Sequence, residues 1–228
     1  MRLAALAIAA AAVCAVVASP SRGADECRGL MACIPVAGPW VVVPASGGVS
    51  TAEWQLECPR GVVAGLDARV SERAVGVSFS GRLGSPVNPG ITTTTAVVFT
   101  GTYAGPGRRA TSFRPYIGCI QGGGRRTPTG IAAEPLRPAE PVTTRVKTIR
   151  VRFGELARAT HGCLAGERLL GATYAVGLGT GGVPSRAQLS GVRVVQVVRG
   201  GRILVSATRR GLAPQVRVEV QVHAECTR

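Results

Sequence analysis

The sequence predicts an all-β chain of two tandem disulfide-closed antiparallel modules, each sandwich-like, behind a signal peptide. Three observations carry that expectation. Cysteines frame two stretches of similar length, Cys58 to Cys119 and Cys163 to Cys226, and each opens on Cys-x-x-Gly with a further glycine soon after (Gly61 and Gly65; Gly166 and Gly171). Self-similarity of that kind marks an internal repeat. Apolar and polar residues alternate with period two along both stretches, and helical periodicity is nearly absent. The first residues have the layout of an export signal.

Residues 1–24 are that signal. Met1 and Arg2 give a positive start, Leu3 to Ala18 is an uncharged apolar run, and Ser19-Pro20 breaks it before Gly23-Ala24. The run is shorter than the roughly 20 residues a membrane-spanning helix needs, and no later stretch is long and apolar enough to span. The chain has seven cysteines, of which Cys14 leaves with the signal. The even remainder, in a chain bound for an oxidising compartment, reads as three disulfides. The repeat favours Cys58–Cys119 and Cys163–Cys226 and leaves Cys27–Cys33; the rival joins Cys33 to Cys58 or Cys119.

Module 1 is expected over 25–120, with the Cys27–Cys33 segment at its start. Trp54, Leu56 and Cys58 share one strand face. Val75, Val77 and Phe79 share another, as do Val97, Phe99 and Tyr103, and then Phe113, Ile117 and Cys119. Between the second and third of these strands, Arg82 to Thr95 carries prolines, glycines and a run of threonines and reads as a long loop. Gln121 to Thr144 follows, with Gly122-Gly123-Gly124, Arg125-Arg126 and Pro128, Pro135, Pro138 and Pro141. That density of Gly and Pro predicts an exposed, partly extended linker.

Module 2 is expected over 145–228. Ile149, Val151 and Phe153 alternate with arginines in its opening strand. Val192–Val198 and Ile203–Thr208 flank Gly200-Gly201, and a Gly-Gly pair supplies the positive φ angles of a tight hairpin. The last strand is the clearest. Val216, Val218, Val220, Val222, Ala224 and Cys226 predict its buried face, and Gln215, Arg217, Glu219, Gln221, His223 and Glu225 its wet face.

Cys-x-x-Gly, a further Gly, a hairpin and a Val-rich strand ending in Cys resemble β modules found in exported bacterial proteins. The likeness runs best through Cys163, Gly166, Gly171 and Val216–Cys226, and again through Cys58, Gly61, Gly65 and Cys119. It implies an architecture and no activity. An immunoglobulin domain shares the cysteine spacing, but it has a core Trp after its first Cys and a Tyr two residues before its second. Here no Trp follows Cys58 or Cys163, and Tyr116 stands three residues before Cys119.

The chain carries 27 basic against 12 acidic residues, and Lys147 is its sole lysine. That balance favours polyanions, although the arginines are scattered. With four Phe, two Trp and three Tyr, no base-stacking platform is visible. No catalytic, metal or cofactor site is expected. The only histidines are His161 and His223, the only aspartates Asp25 and Asp67, and no Cys-x-x-Cys occurs. Gly76-Val-Ser78-Phe-Ser80 lacks the closing glycine of a nucleophile turn. His161 reads as a structural histidine and His223 as part of a solvated face. The expectation is therefore a secreted or envelope protein without enzymatic activity, structural or binding in role, its partner an envelope component or another exported protein. The alternatives are a secreted protease inhibitor presenting Arg82–Thr95, a weakly polyanion-binding surface, or a hydrolase assembled between modules around His161 or His223.

Overall fold

The computed structural model describes residues 25–30, 32–81, 86–88, 91–92, 95–105, 109–121 and 142–227. The predicted signal and most of the predicted linker lie outside these residues, as does much of loop 82–95. A 3-10 turn (Asp25–Cys27) precedes β1 (Ile34–Ala37), β2 (Trp40–Val43), β3 (Ser50–Glu57), β4 (Val62–Val70), β5 (Val75–Gly81), β6 (Pro86–Asn88), β7 (Ile91–Thr92), β8 (Ala96–Tyr103) and β9 (Thr111–Ile120). The C-terminal half holds β10 (Thr143–Arg150), β11 (Ala157–Gly162), β12 (Arg168–Gly179), a short helix α1 (Arg186–Leu189), β13 (Val192–Arg199), β14 (Arg202–Arg209) and β15 (Arg217–Thr227). The chain is nearly all β, in curled antiparallel sheets. β10 begins two residues before the predicted module boundary, and β6 and β7 pair with each other inside the segment expected to be loop.

One long sheet runs through both halves. Its order is β9, β2, β12, β15, β10, with β4 on the far side of β9 and β1 beside β9 ahead of β2. Two three-stranded sheets accompany it, β3-β8-β5 and β11-β14-β13. The pairings of the two halves run in parallel. β3 and β5 flank β8 as β11 and β13 flank β14, β4 pairs β9 as β12 pairs β15, and β1/β2 lie along β9 as β10 lies along β15.

The recurring glycines have local causes. Gly61 and Gly166 turn the chain after their cysteines with φ of 80° and 84°, a region that L side chains rarely adopt. Just beyond, β4 and β12 each carry a bulge opposite the closing cysteine, between Val63 and Gly65 against Cys119, and between Leu169 and Gly171 against Cys226. A bulge adds one residue to one strand and shifts its alternation. That shift, with the glycines, is why neither β4 nor β12 stands out by periodicity. Gly65 and Gly118 face each other across β4 and β9 and leave a notch for the 3-10 turn. A Cβ on Gly65 would lie 1.6 Å from the Glu26 carbonyl oxygen, and one on Gly118 2.2 Å from it.

Disulfides join Cys27 to Cys33, Cys58 to Cys119 and Cys163 to Cys226, with Cα atoms 5.6, 5.7 and 5.6 Å apart. Three disulfides fit an oxidising extracellular environment. Among the described residues, no helix is long and apolar enough to cross a membrane.

The core divides in two. Trp54, Phe99, Phe113, Ile117 and the Cys58–Cys119 bridge form the first cluster; Ile203, Val205, Val218, Val220 and Val222 form the second. At the seam, β2 sends Val41 and Val43 into the first cluster and Trp40 and Val42 into the second. Successive strand residues point to opposite faces, so the two cores lie on opposite faces of the long sheet. Gly177 of β12, opposite Val41, is forced by this crossing: a Cβ there would sit 2.5 Å from Pro39 and 2.7 Å from the Trp54 ring.

The same crossing corrects part of the expectation for β15. Its valine face is buried, and Gln215, Arg217 and Glu225 of the other face are exposed, but Gln221 and His223 between them are only 4% and 2% exposed because β3 lies against them. Two aromatic residues expected inside are out. Phe79, 58% exposed, stands on β5, which edges its sheet, and tilts against Phe99. Phe153, 63% exposed, lies in the turn after β10, and the Arg209 guanidinium covers its ring at 5.5 Å. Gly200 and Gly201 do form the tight β13–β14 hairpin, with φ of 57° and 70°.

Candidate binding surface

The two histidines do not assemble a catalytic set. His161 Nε2 is 2.9 Å from the Arg145 carbonyl oxygen and ties β11 to β10. His223 lies deep in the seam, Nε2 3.0 Å from Gln221 Oε1 and Nδ1 3.8 Å from Glu53; at 2% exposure it offers no open face to a substrate. The sulfurs of Cys163 and Cys226 lie beside the Glu167 carboxylate. The two sulfurs are bonded to each other, so no thiolate remains there to hold a metal. Glu167 instead receives Arg145 through two guanidinium nitrogens at 2.8 and 2.5 Å and caps the Leu164 N–H at 2.9 Å. Hydrogen bonding to Glu167 raises the Arg145 pKa above its ordinary value, so Arg145 stays charged.

Several other arginines are engaged structurally. Arg109 pairs with Glu72 and reaches the Tyr103 hydroxyl at 3.3 Å. Arg69 and Arg114 sit 5.6 and 5.4 Å from the centre of the Tyr116 ring, a cation–π arrangement. Arg209 donates to the Val216 carbonyl at 2.8 Å.

A different set of cations lines an open groove of about 920 Å³ in the C-terminal half, along β10 and across β11, β13 and β14. Lys147, Arg150, Arg158 and Arg199 stand around it, and among the described residues no carboxylate lines it. Ile149, Val195, Val197 and Leu204 give it an aliphatic floor. Val195, Val197 and Leu204 are 46%, 51% and 42% exposed, and a contiguous exposed apolar patch is characteristic of a contact surface. Lys147 Nζ donates to the Thr160 carbonyl at 2.9 Å, which holds the ammonium across the gap between β10 and β11. Arg150 faces Glu219 at 3.7 Å, with its side chain 79% exposed, so the pair is heavily screened.

A second recess of about 510 Å³ lies at the seam, between β2, β12 and β13, and is mostly apolar. Gln196 spans it, donating from Nε2 to the Ala172 carbonyl at 3.0 Å.

Sequence reasoning singled out only the six bridged cysteines and did not find the groove. Arg150, Arg158 and Arg199 sit on three separate strands, and only the curl of the sheets brings them together. The β-rich run Val192–Val198 was legible, but it does not say which face stays open. Compared with known proteins, the chain matches no family model, no curated protein and no solved structure.

Proposed function

We propose that the chain is an exported, non-enzymatic binding protein built from two copies of one six-strand β unit, and that it binds anionic partners in the groove of its second copy. The observation that carries the binding role is that, among the described residues, four cations and no carboxylate surround an aliphatic floor. Anions are drawn to such a surface, and the apolar floor rewards a ligand with apolar parts. The duplication is supported by the matched strand pairings, by the matched bulges opposite Cys119 and Cys226, and by the left-handed glycine three residues after Cys58 and Cys163. Export is supported by the three disulfides and the apolar N-terminal run.

An anionic naphthalene sulfonate dye that brightens on apolar contact tests the binding role. Arg158→Glu with Arg199→Glu should weaken dye binding about tenfold or more, and added salt should weaken it in the native protein. Arg73→Glu, in the exposed turn after β4, should leave it unchanged. Equal affinity in the groove variant and the native protein would refute the assignment.

The inhibitor and polyanion alternatives rest on less. The reactive loop that an inhibitor needs, 82–95, lies largely outside the described residues. Of the basic side chains, Arg69, Arg109, Arg114, Arg145 and Arg209 are committed within the fold.

A further inference from the structure

We infer that the groove accepts an extended acidic polypeptide as an added β-strand on β10; this rests on the groove being a binding site and names what it binds. β10 ends the long sheet and, among the described residues, pairs on one side only, with β15. The register fixes which groups are free to pair. The Val151 N–H donates to the Val218 carbonyl just past the end of β10. By the alternation of an antiparallel ladder, odd-numbered residues turn their main-chain groups to β15, and Thr144, Val146, Thr148 and Arg150 turn theirs outward.

The groove follows that edge. Four consecutive residues of β10, Lys147 to Arg150, line it. Neighbouring side chains on a strand point to opposite faces, so a consecutive run lines a groove only where the strand presents its edge. The protein already uses this contact once. β2 lies beside β9 as β10 lies beside β15, and the outer edge of β2 is taken by β12, with Trp40, Val41 and Val42 opposite Leu178, Gly177 and Val176. On β10 the corresponding edge has no paired strand among the described residues; β11 lies across the groove from it, and the Lys147 ammonium, now on the Thr160 carbonyl, must swing aside to admit a strand.

Charge selects the occupant. A strand laid on β10 runs past Lys147, Arg150 and Arg158 over Ile149, Val197 and Leu204, so alternating carboxylate and aliphatic side chains match it. A second copy of the chain matches poorly. Two β10 edges would bring Lys147 and Arg150 against their own kind, and like charges across a strand pair repel. The other end of the long sheet, β4, carries Arg69, whose guanidinium is held over the Tyr116 ring.

The probe is an acetylated octapeptide of alternating Glu and Val, measured by fluorescence anisotropy beside the same peptide N-methylated on alternate residues. The two keep the same charge and side chains, but one edge of the methylated peptide cannot donate. Strand addition requires the unmodified peptide to bind, with about tenfold or greater loss on methylation and on Lys147→Glu with Arg150→Glu. Equal binding of both peptides overturns strand addition and leaves the groove reading intact. Failure of the peptide to bind while the naphthalene sulfonate dye does also overturns it. Concentration-dependent self-association abolished by the same β10 variant would assign the edge to a second copy and overturn the acidic partner. Loss of dye and peptide binding together would remove the groove reading as well.

Discussion

Substituting Gln221 with leucine should be among the most damaging polar-to-apolar changes in the chain. Cys58 N–H donates to the Thr95 carbonyl beside β3, so in β3 the even residues face β8 and Gln55 directs its main-chain groups outward. Gln221 meets both of them. Its Oε1 accepts from the Gln55 N–H at 2.6 Å, and its Nε2 donates to the Gln55 carbonyl at 3.1 Å. One side chain of β15 thus stands in for a neighbouring strand at the edge of β3 and joins the two halves. Gln221 is 4% exposed, so leucine would remove both hydrogen bonds to Gln55, and the contacts with His223 Nε2 at 3.0 Å and Thr148 Oγ1 at 3.4 Å, from a site that water cannot readily refill. Losing a partner at a buried polar group costs about 1–3 kcal/mol. With leucine recovering part of this by apolar burial, the expected loss is about 2–4 kcal/mol. Urea unfolding of the oxidised protein measures it, as a lowered midpoint with an unchanged slope. Gln215→Leu, at an exposed position before β15, is the control and should stay within about 0.5 kcal/mol of the native protein. If the two variants unfold at the same urea concentration, the Gln221 side chain is not a joint between the halves.

Gly118→Ala drives a methyl group into the Glu26 carbonyl and should cost about 1–3 kcal/mol, seen as a lowered melting temperature; an unchanged one would mean that the 3-10 turn does not pack in that notch. Gly177→Ala meets Pro39 and the Trp54 ring, and intrinsic tryptophan fluorescence should shift along with a similar loss of stability. Replacing Cys58 and Cys119 with serine opens a closure of 61 residues, worth about 4 kcal/mol in the chain-entropy model; calorimetry showing no loss would contradict that account. The oxidised protein should show no thiol to Ellman's reagent after denaturation, apart from Cys14 if the leader is retained, and any further thiol would break the disulfide scheme.

The sequence by itself determined the local part of this protein. Period-two alternation marked β3, β8 and β15 because each keeps one apolar face in register along its length, and β-rich runs on either side of Gly200-Gly201 marked β13 and β14. The paired glycines marked the β13–β14 turn because two positive φ angles in succession suit almost no other residues. β4 and β12 escaped notice because a bulge slips their phase, and β1 and β2 because Pro35, Gly38 and Pro39 interrupt what is nearly one strand. Only the tertiary structure decided how the halves meet. A strand's alternation states which residues leave water, not what displaces it, so Gln221 and His223 look like a wet face until β3 covers them. The groove arose the same way: its cations come from β10, β11 and β13, and the curl of the sheets, fixed by contacts between distant residues, sets them around one groove.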